Sequence, residues 1–236
     1  MKLIAFGDIH GRNSWKSVLD TTDFDKAVFV GDYFDTHENI SPEQQLDNFQ
    51  EILLYKRSFP EKITLLIGNH DYHYLSFTTD RYSGFQEKFC TPIRLLLEDA
   101  LQNRELQACY RHHHFLFSHA GITRTWLFNQ GFLFDDSIPV EQFVNELFIK
   151  NPQAFAFTIG KNQSYTGDDI CQTPIWVRPT SLSKDGIEGF VHVVGHTSVH
   201  HITFFTNKIL LIDTLGISGE YLVIKDNQIQ YDKVQV

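Results

Sequence analysis

The chain has 236 residues, 42% hydrophobic and 14% aromatic, enough apolar surface to fold as one domain spanning 1–236 without covalent staples. Its formal charge of −9 argues against a non-specific nucleic-acid binder, which needs Lys and Arg to neutralise phosphates, so a nucleic-acid partner is not expected. Cys90, Cys109 and Cys171 show no paired spacing, and no apolar run approaches membrane-spanning length, so the expectation is a soluble cytoplasmic protein with reduced thiols and no membrane partner.

The N-terminal residues 2–6 (KLIAF) form a short apolar run that turns polar too early for a secretory signal. With 27–30 (AVFV) and 63–67 (ITLLI) they predict buried parallel strands, each followed at once by a Gly-containing polar tail, GDIHG, GDYFD and GNHD. Helices are predicted near 13–20 and over 42–57, where Ser41-Pro42 supplies a cap and first-turn proline and Leu46, Phe49, Ile52 and Leu53 recur at helical spacing. A fourth run, 113–118, ends in HAG. The segment 122–185 then carries a helix signal over 139–150, from Val140, Phe143, Val144, Leu147 and Phe148, and a polar loop to Gly186. A fifth run, 190–194, ends in GHT, and 202–206, 209–212, 221–224 and 229–231 follow as antiparallel hairpins.

Functional loops of open α/β sheets gather at the carboxyl ends of the strands, where all five polar tails fall. Asp8 and His10 share one tight turn, Asp32 follows a strand end as a possible bridging carboxylate, and Asn69, His119 and His196 arrive from three further ends. Carboxylate oxygen mixed with imidazole suits Mn, Fe or Zn better than Mg or Ca. Six such residues on five loops fit two divalent transition-metal ions with positions open for water and substrate, Mn²⁺ being the first expectation. Any one motif alone is more often a turn, a cap or an ordinary histidine; their order and company carry the signal.

GDIHG, GDYFD, GNHD, HAG and GHT in this order resemble the calcineurin-like metallophosphoesterases, nearest the phosphoprotein phosphatase branch with its small bacterial and phage members. The resemblance spans Asp8 to His196, and the segment Ile212-Asp213-Thr214 is similar to one that commonly follows GHT there. It implies an α/β fold in which two β-sheets form a sandwich flanked by helices, a four-layer α/β/β/α arrangement. It also implies roles: Asp8, His10 and Asp32 for one metal, Asp32, Asn69, His119 and His196 for the other, a bridging hydroxide as nucleophile, His70 as general acid and Asp35 as the group that orients it. A phosphorylated substrate is the partner this implies.

Two departures stand out. The GHxH of the wider superfamily is Gly195-His196-Thr197-Ser198 here, and the arginine that commonly follows GDxxD to grip phosphate is Thr36. Arg178, in the sequence Trp-Val-Arg-Pro, is the replacement candidate for substrate binding; Arg12 and Arg81 are expected to be solvated. His112, His113 and His114 are expected in a solvated turn, and Tyr72 and Tyr74 in packing. The expected activity is phosphate monoester hydrolysis of the serine/threonine protein phosphatase type, with 122–185 a substrate-facing insertion. Hydrolysis of nucleotide polyphosphates or dinucleoside tetraphosphates is the alternative. An inactive binding scaffold is a third reading, against which the retained ligands and His70 count.

Overall fold

Side chains alternate across the first strand, β1 (Lys2–Phe6), and that alternation sets the layers of the molecule. The computed structural model describes residues 1–135, 137–160 and 165–234. Within them β1 is followed by α1 (Ser14–Thr21), β2 (Lys26–Phe29), α2 (Pro42–Ser58), β3 (Ile63–Leu66), the single turn α3 (Asn69–Tyr72), α4 (Cys90–Gln102), β4 (Leu106–Gln107) and β5 (Cys109–His112). Then come β6 (Phe115–Ser118), α5 (Arg124–Asn129), α6 (Val140–Lys150), α7 (Pro179–Asp185), β7 (Val191–Val194), β8 (Thr203–Thr206), β9 (Ile209–Leu211), β10 (Glu220–Lys225) and β11 (Gln228–Lys233).

One sheet has the order β11-β10-β1-β2-β3-β4 and the other β5-β6-β7-β9-β8. Leu3, Ala5, Val28, Val30 and Leu66 of the first face Phe115, Phe117, Val193 and Leu210 of the second, forming the apolar layer between them. Ile4, Phe6, Phe29, Ile63 and Leu65 point the other way, onto Trp15 and Val18 of α1, Phe49, Ile52 and Leu53 of α2, and Ile93 and Leu97 of α4. On the far side, Val194, Ile209 and Leu211 meet Leu182 of α7. The chain is therefore a two-sheet sandwich flanked by helices, as its motifs implied.

Helix α2 starts where the local chemistry directs it. Ser41 accepts the Gln44 N–H, the Gln44 side chain returns to the Ser41 N–H, and Pro42 occupies the first turn. In the first sheet β1, β2 and β3 run parallel. In the second, β6, β7 and β9 do the same.

The chain departs from its sequence reading in several places. In its described residues the stretch up to Gly186 is not a plain polar loop, because Phe155, Ile175, Val177 and Leu182 are buried and a 3-10 turn (Pro152–Phe155) and α7 form around them; the part of the loop reading at 161–164 lies outside the described residues. The expected run of hairpins resolves into two that belong to different sheets: β8 with β9, and β10 with β11. Helix α4 and strand β5 went unassigned in sequence, and His112 lies buried in β5, leaving His113 and His114 for the turn. No helix among the described residues is long and apolar enough to cross a membrane.

Candidate metal centre

The loops leaving β1, β2, β3, β6, β7 and β9 meet at one edge of the sandwich, and glycines let them close. A Cβ on Gly68 would stand 2.1 Å from Asp32 Oδ1, and one on Gly195 would stand 2.1 Å from Asp8 Oδ1. Each glycine thus leaves the space that a carboxylate of a neighbouring loop fills. The two sheets are stitched here as well: the His196 N–H donates to Asp8 Oδ1 (3.0 Å), and the His119 ring nitrogen Nδ1 lies 2.9 Å from the Val30 carbonyl.

All six candidate ligands converge. Oxygens of Asp8 and Asp32 and a ring nitrogen of His119 lie within 4.8 Å of one another. His119 Nε2 is 3.4 Å from Asp32 Oδ2 and 2.9 Å from Asn69 Oδ1, and His196 Nδ1 is 2.8 Å from that same amide oxygen. His10 Nε2 sits 3.9 Å from both Asp8 Oδ2 and Asp32 Oδ2. The far nitrogens hold the rings in place: His10 Nδ1–H donates to the Phe34 carbonyl (2.7 Å) and His119 Nδ1–H to Val30, which turns each Nε2 toward the carboxylates.

The electrostatics describe a pocket short of positive charge. Burial and the neighbouring Asp213 push the Asp8 carboxyl well above the usual range. Burial would raise Asp32 too, but His119, His70 and His10 hold it well below. Burial pulls His119 down, yet Asp32 and Asp8 outweigh it and push it up to about 9. Buried carboxylates that raise His119, beside His10 and His196 that burial holds below the ordinary imidazole value, are a donor set suited to divalent cations. The residues fit the group the resemblance implies.

His70 stands beside this cluster without joining it. Its N–H donates to Asp32 Oδ1 (2.8 Å), and its ring Nδ1 meets Asp35 Oδ2 at 3.0 Å. Burial lowers His70, but the charges of Asp32 and Asp35 more than offset it and hold the imidazole above its ordinary value. The two side chains that the resemblance names as acid and orienting carboxylate are thus in direct contact.

Five of the six candidate ligands, all but the fully buried His119, line a cavity of about 420 Å³ together with His70, Tyr82, Ser83, Trp176, Arg178, Ser198 and Asp213. Arg178 reaches it, braced by bonds from Nη1 to the His196 carbonyl (2.9 Å) and from Nε to the Thr166 carbonyl (3.0 Å). Thr36 is absent from that lining, and its hydroxyl accepts the Glu38 N–H within a turn. Arg12 is half-buried rather than solvated, pairing with Glu38 (2.6 Å); Arg81 is exposed as expected, while donating to the His73 carbonyl and lying over the Phe85 ring. A larger cavity of about 560 Å³, lined by Gly11, Glu38, Asp47 and Glu51 among others, contains none of the six.

Sequence reasoning missed Asp213, Asp71, Tyr82 and Trp176 as site residues. Asp213 repeats the strand-then-acid pattern behind 209–212, which was its available signal. Asp71, inside GNHD, is fully buried and accepts the N–H groups of Asp32 (2.8 Å), Tyr33 (2.7 Å) and Gly68 (2.9 Å), tying the second loop to the third. Tyr74 also exceeds its packing role, since its hydroxyl donates to Asp35 Oδ1.

A four-layer sandwich with Asp, Asn and His gathered at the carboxyl ends of parallel strands from both sheets is the architecture of the metallophosphoesterase fold. The chain belongs to the calcineurin-like phosphoesterase family, which it matches over residues 1–201. It is 30% identical over 137 residues to a symmetrical bis(5'-nucleosyl)-tetraphosphatase from Glaesserella parasuis serovar 5, a match covering 53% of this chain and 47% of the relative. The chain thus spans about half the length of that relative. Among solved structures, a cold-active protein tyrosine phosphatase is similar over 98% of this chain and 75% of its own (TM-score 0.62, 20% identity). A protein serine/threonine phosphatase from Saccharomyces cerevisiae is similar over 100% and 80% (TM-score 0.58, 12% identity). At these identities the two structures speak for the fold.

Proposed function

We propose that the protein hydrolyses phosphate monoesters, with phosphoserine- and phosphothreonine-type alkyl esters as its substrate class, at a two-metal site. Asp8, His10 and Asp32 would hold one ion and Asp32, Asn69, His119 and His196 the other, with Mn²⁺ ahead of Fe or Zn. Bound ions would supply Lewis acidity toward the phosphoryl oxygens and ionise a water near neutral pH. His70 protonates the departing oxygen, and Asp35 orients the ring through Nδ1 so that Nε2 is left for the leaving group. Arg178 grips an equatorial phosphoryl oxygen in place of the arginine that Thr36 displaces. The segment 122–185 faces substrate through Trp176 and Arg178.

The observation that carries the monoester reading is the charge of the cavity wall. Among the described residues lining it, Arg178 is the one Arg or Lys, and Asp213 adds a further carboxylate. A single phosphoryl group needs one such clamp beside the ions; a chain of four phosphates spreads charge that this wall does not meet. The tetraphosphatase relative favours the second reading, cleavage of dinucleoside polyphosphates.

A substrate panel with Mn²⁺-loaded protein separates the two: phosphoserine and phosphothreonine peptides, p-nitrophenyl phosphate, its bis-ester and diadenosine tetraphosphate. The monoesters are expected to rank first in kcat/KM. A tetraphosphate ranking above every monoester would overturn the proposal in favour of the second reading.

A further inference from the structure

Asp35 is held by more partners than an orienting carboxylate needs. Its Oδ2 faces His70 Nδ1 at 3.0 Å and His73 Nε2 at 2.6 Å. Its Oδ1 accepts the Tyr74 hydroxyl and, at 3.3 Å, the Gln86 amide. Its backbone N–H donates to Gln45 Oε1 (2.9 Å), which also accepts the Gln86 amide (2.8 Å). A carboxylate has about four lone-pair sites, and here four donor-bearing groups surround two oxygens.

His73 is itself fixed. It is fully buried, it stacks on Tyr82 with ring centroids 5.2 Å apart, and its Nδ1 accepts the Tyr82 N–H at 3.1 Å. With Nδ1 occupied as an acceptor, the ring proton belongs to Nε2, the nitrogen turned to Asp35. That approach is too oblique for a well-formed hydrogen bond, and Nε2 has no other polar partner. The 2.6 Å separation is also shorter than two ligands of a common ion tolerate, so the trio Asp35, His70 and His73 suits mutual positioning better than a third metal. Gly84, at φ +87°, brings the same segment to within van der Waals contact of Asp35, since a Cβ there would lie 3.0 Å from the Asp35 Cβ.

We infer that His73 and Tyr74 are positioning residues for the acid step, so that the leaving-group acid works as a His70–Asp35 pair clamped from behind by His73 and Tyr74. Neither lines the cavity, and the one bond to a candidate ligand is from the His73 backbone N–H to the Asn69 carbonyl (3.4 Å); their side chains act by fixing the plane of the Asp35 carboxylate, and through it the direction of His70 Nε2. The segment 73–86 does this from one side while its Tyr82 and Ser83 wall the cavity on the other. The inference rests on the acid role proposed above for His70.

The test compares an alkyl phosphate with p-nitrophenyl phosphate, whose leaving group departs without a proton, using full-length protein with metal content and melting temperature measured for each variant. Tyr74→Phe, which keeps the ring and removes only the hydroxyl, and His73→Leu should each retain their metals. Each should lose at least about tenfold on the alkyl ester, short of the roughly 10²–10⁴-fold expected of His70→Ala, and much less on the nitrophenyl ester. His73→Gln, which restores an N–H donor, should recover part of the loss. Equal losses on both esters by Tyr74→Phe and His73→Leu would reduce the two residues to packing and overturn the inference, and loss of a metal on His73→Leu would do so by making it a ligand. The control separates the levels. If His70→Ala discriminates between the esters and the two variants do not, only this inference fails; if His70→Ala does not discriminate, the acid role fails and takes the inference with it.

Discussion

Four residues of the site, His10, Asp32 and His196 at the cavity and Asp35 behind His70, have φ angles of 45°, 52°, 58° and 63° respectively. Left-handed backbone costs a residue with a Cβ on the order of 1–3 kcal/mol, and it persists where surrounding bonds over-determine it. Such bonds are present at each: the Asp32 N–H to Asp71, the His10 ring to the Phe34 carbonyl, the Asp35 N–H to Gln45 and the His196 N–H to Asp8. The close glycines are equally constrained: Gly195→Ala would drive a methyl into Asp8 Oδ1, so the variant should bind at least one ion fewer while staying folded, read by elemental analysis beside circular dichroism. At the cavity wall, Arg178→Ala should raise KM for a small monoester by roughly tenfold and change kcat less, as removal of uniform binding does. A fall in kcat at constant KM would mean that Arg178 acts only through its brace on the His196 carbonyl. The motif letters were legible in sequence at this scale. The left-handed conformations and the clamp on Asp35 were not, because neither leaves a periodic or spacing signal.

At the scale of elements, the strand at 220–225 shows how the two sheets are joined away from the site. Glu220, 1% exposed, accepts the Ile202 N–H (2.8 Å) and meets the His201 ring (2.8 Å), pinning the approach to β8 against the start of β10. Burial alone would raise its carboxyl, but His201 and the Ile202 N–H prevail and hold it below the ordinary glutamate value. A depressed folded value means that this contribution is complete above the unfolded pKa and disappears as pH falls through the folded one. Glu220→Gln should therefore lower Tm by a few degrees at pH 7, following about 1–2 kcal/mol for a charge-assisted bond, and the gap to wild type should close in acid below the glutamate range. A gap that persists unchanged at pH 3 would assign the effect to packing. Strands with apolar runs and capped helices were readable because burial and capping write themselves into spacing. Helix α4 was passed over although Ile93, Leu97 and Ala100 keep helical spacing on its buried face. β5 was missed because its four residues carry two polar side chains and run straight into the histidine turn.

On the scale of the whole molecule, two parallel triads of strands from different sheets present their carboxyl ends to one another, and the cavity lies where they meet. The sequence order of the motifs revealed that convergence; the assignment of hairpins to separate sheets did not emerge, since pairing partners for β8 to β11 depend on packing across the sandwich rather than on local turns. An acidic chain can act on an acidic substrate in this architecture only if cations are concentrated at that edge, and the account stands on their number. Equilibrium dialysis of the purified chain against Mn²⁺, followed by elemental analysis, measures it directly. Two ions per chain are expected for wild type and fewer than two for Asp32→Ala, which removes the shared carboxylate. One ion or none in the wild-type protein, or a full pair retained by Asp32→Ala, would contradict it.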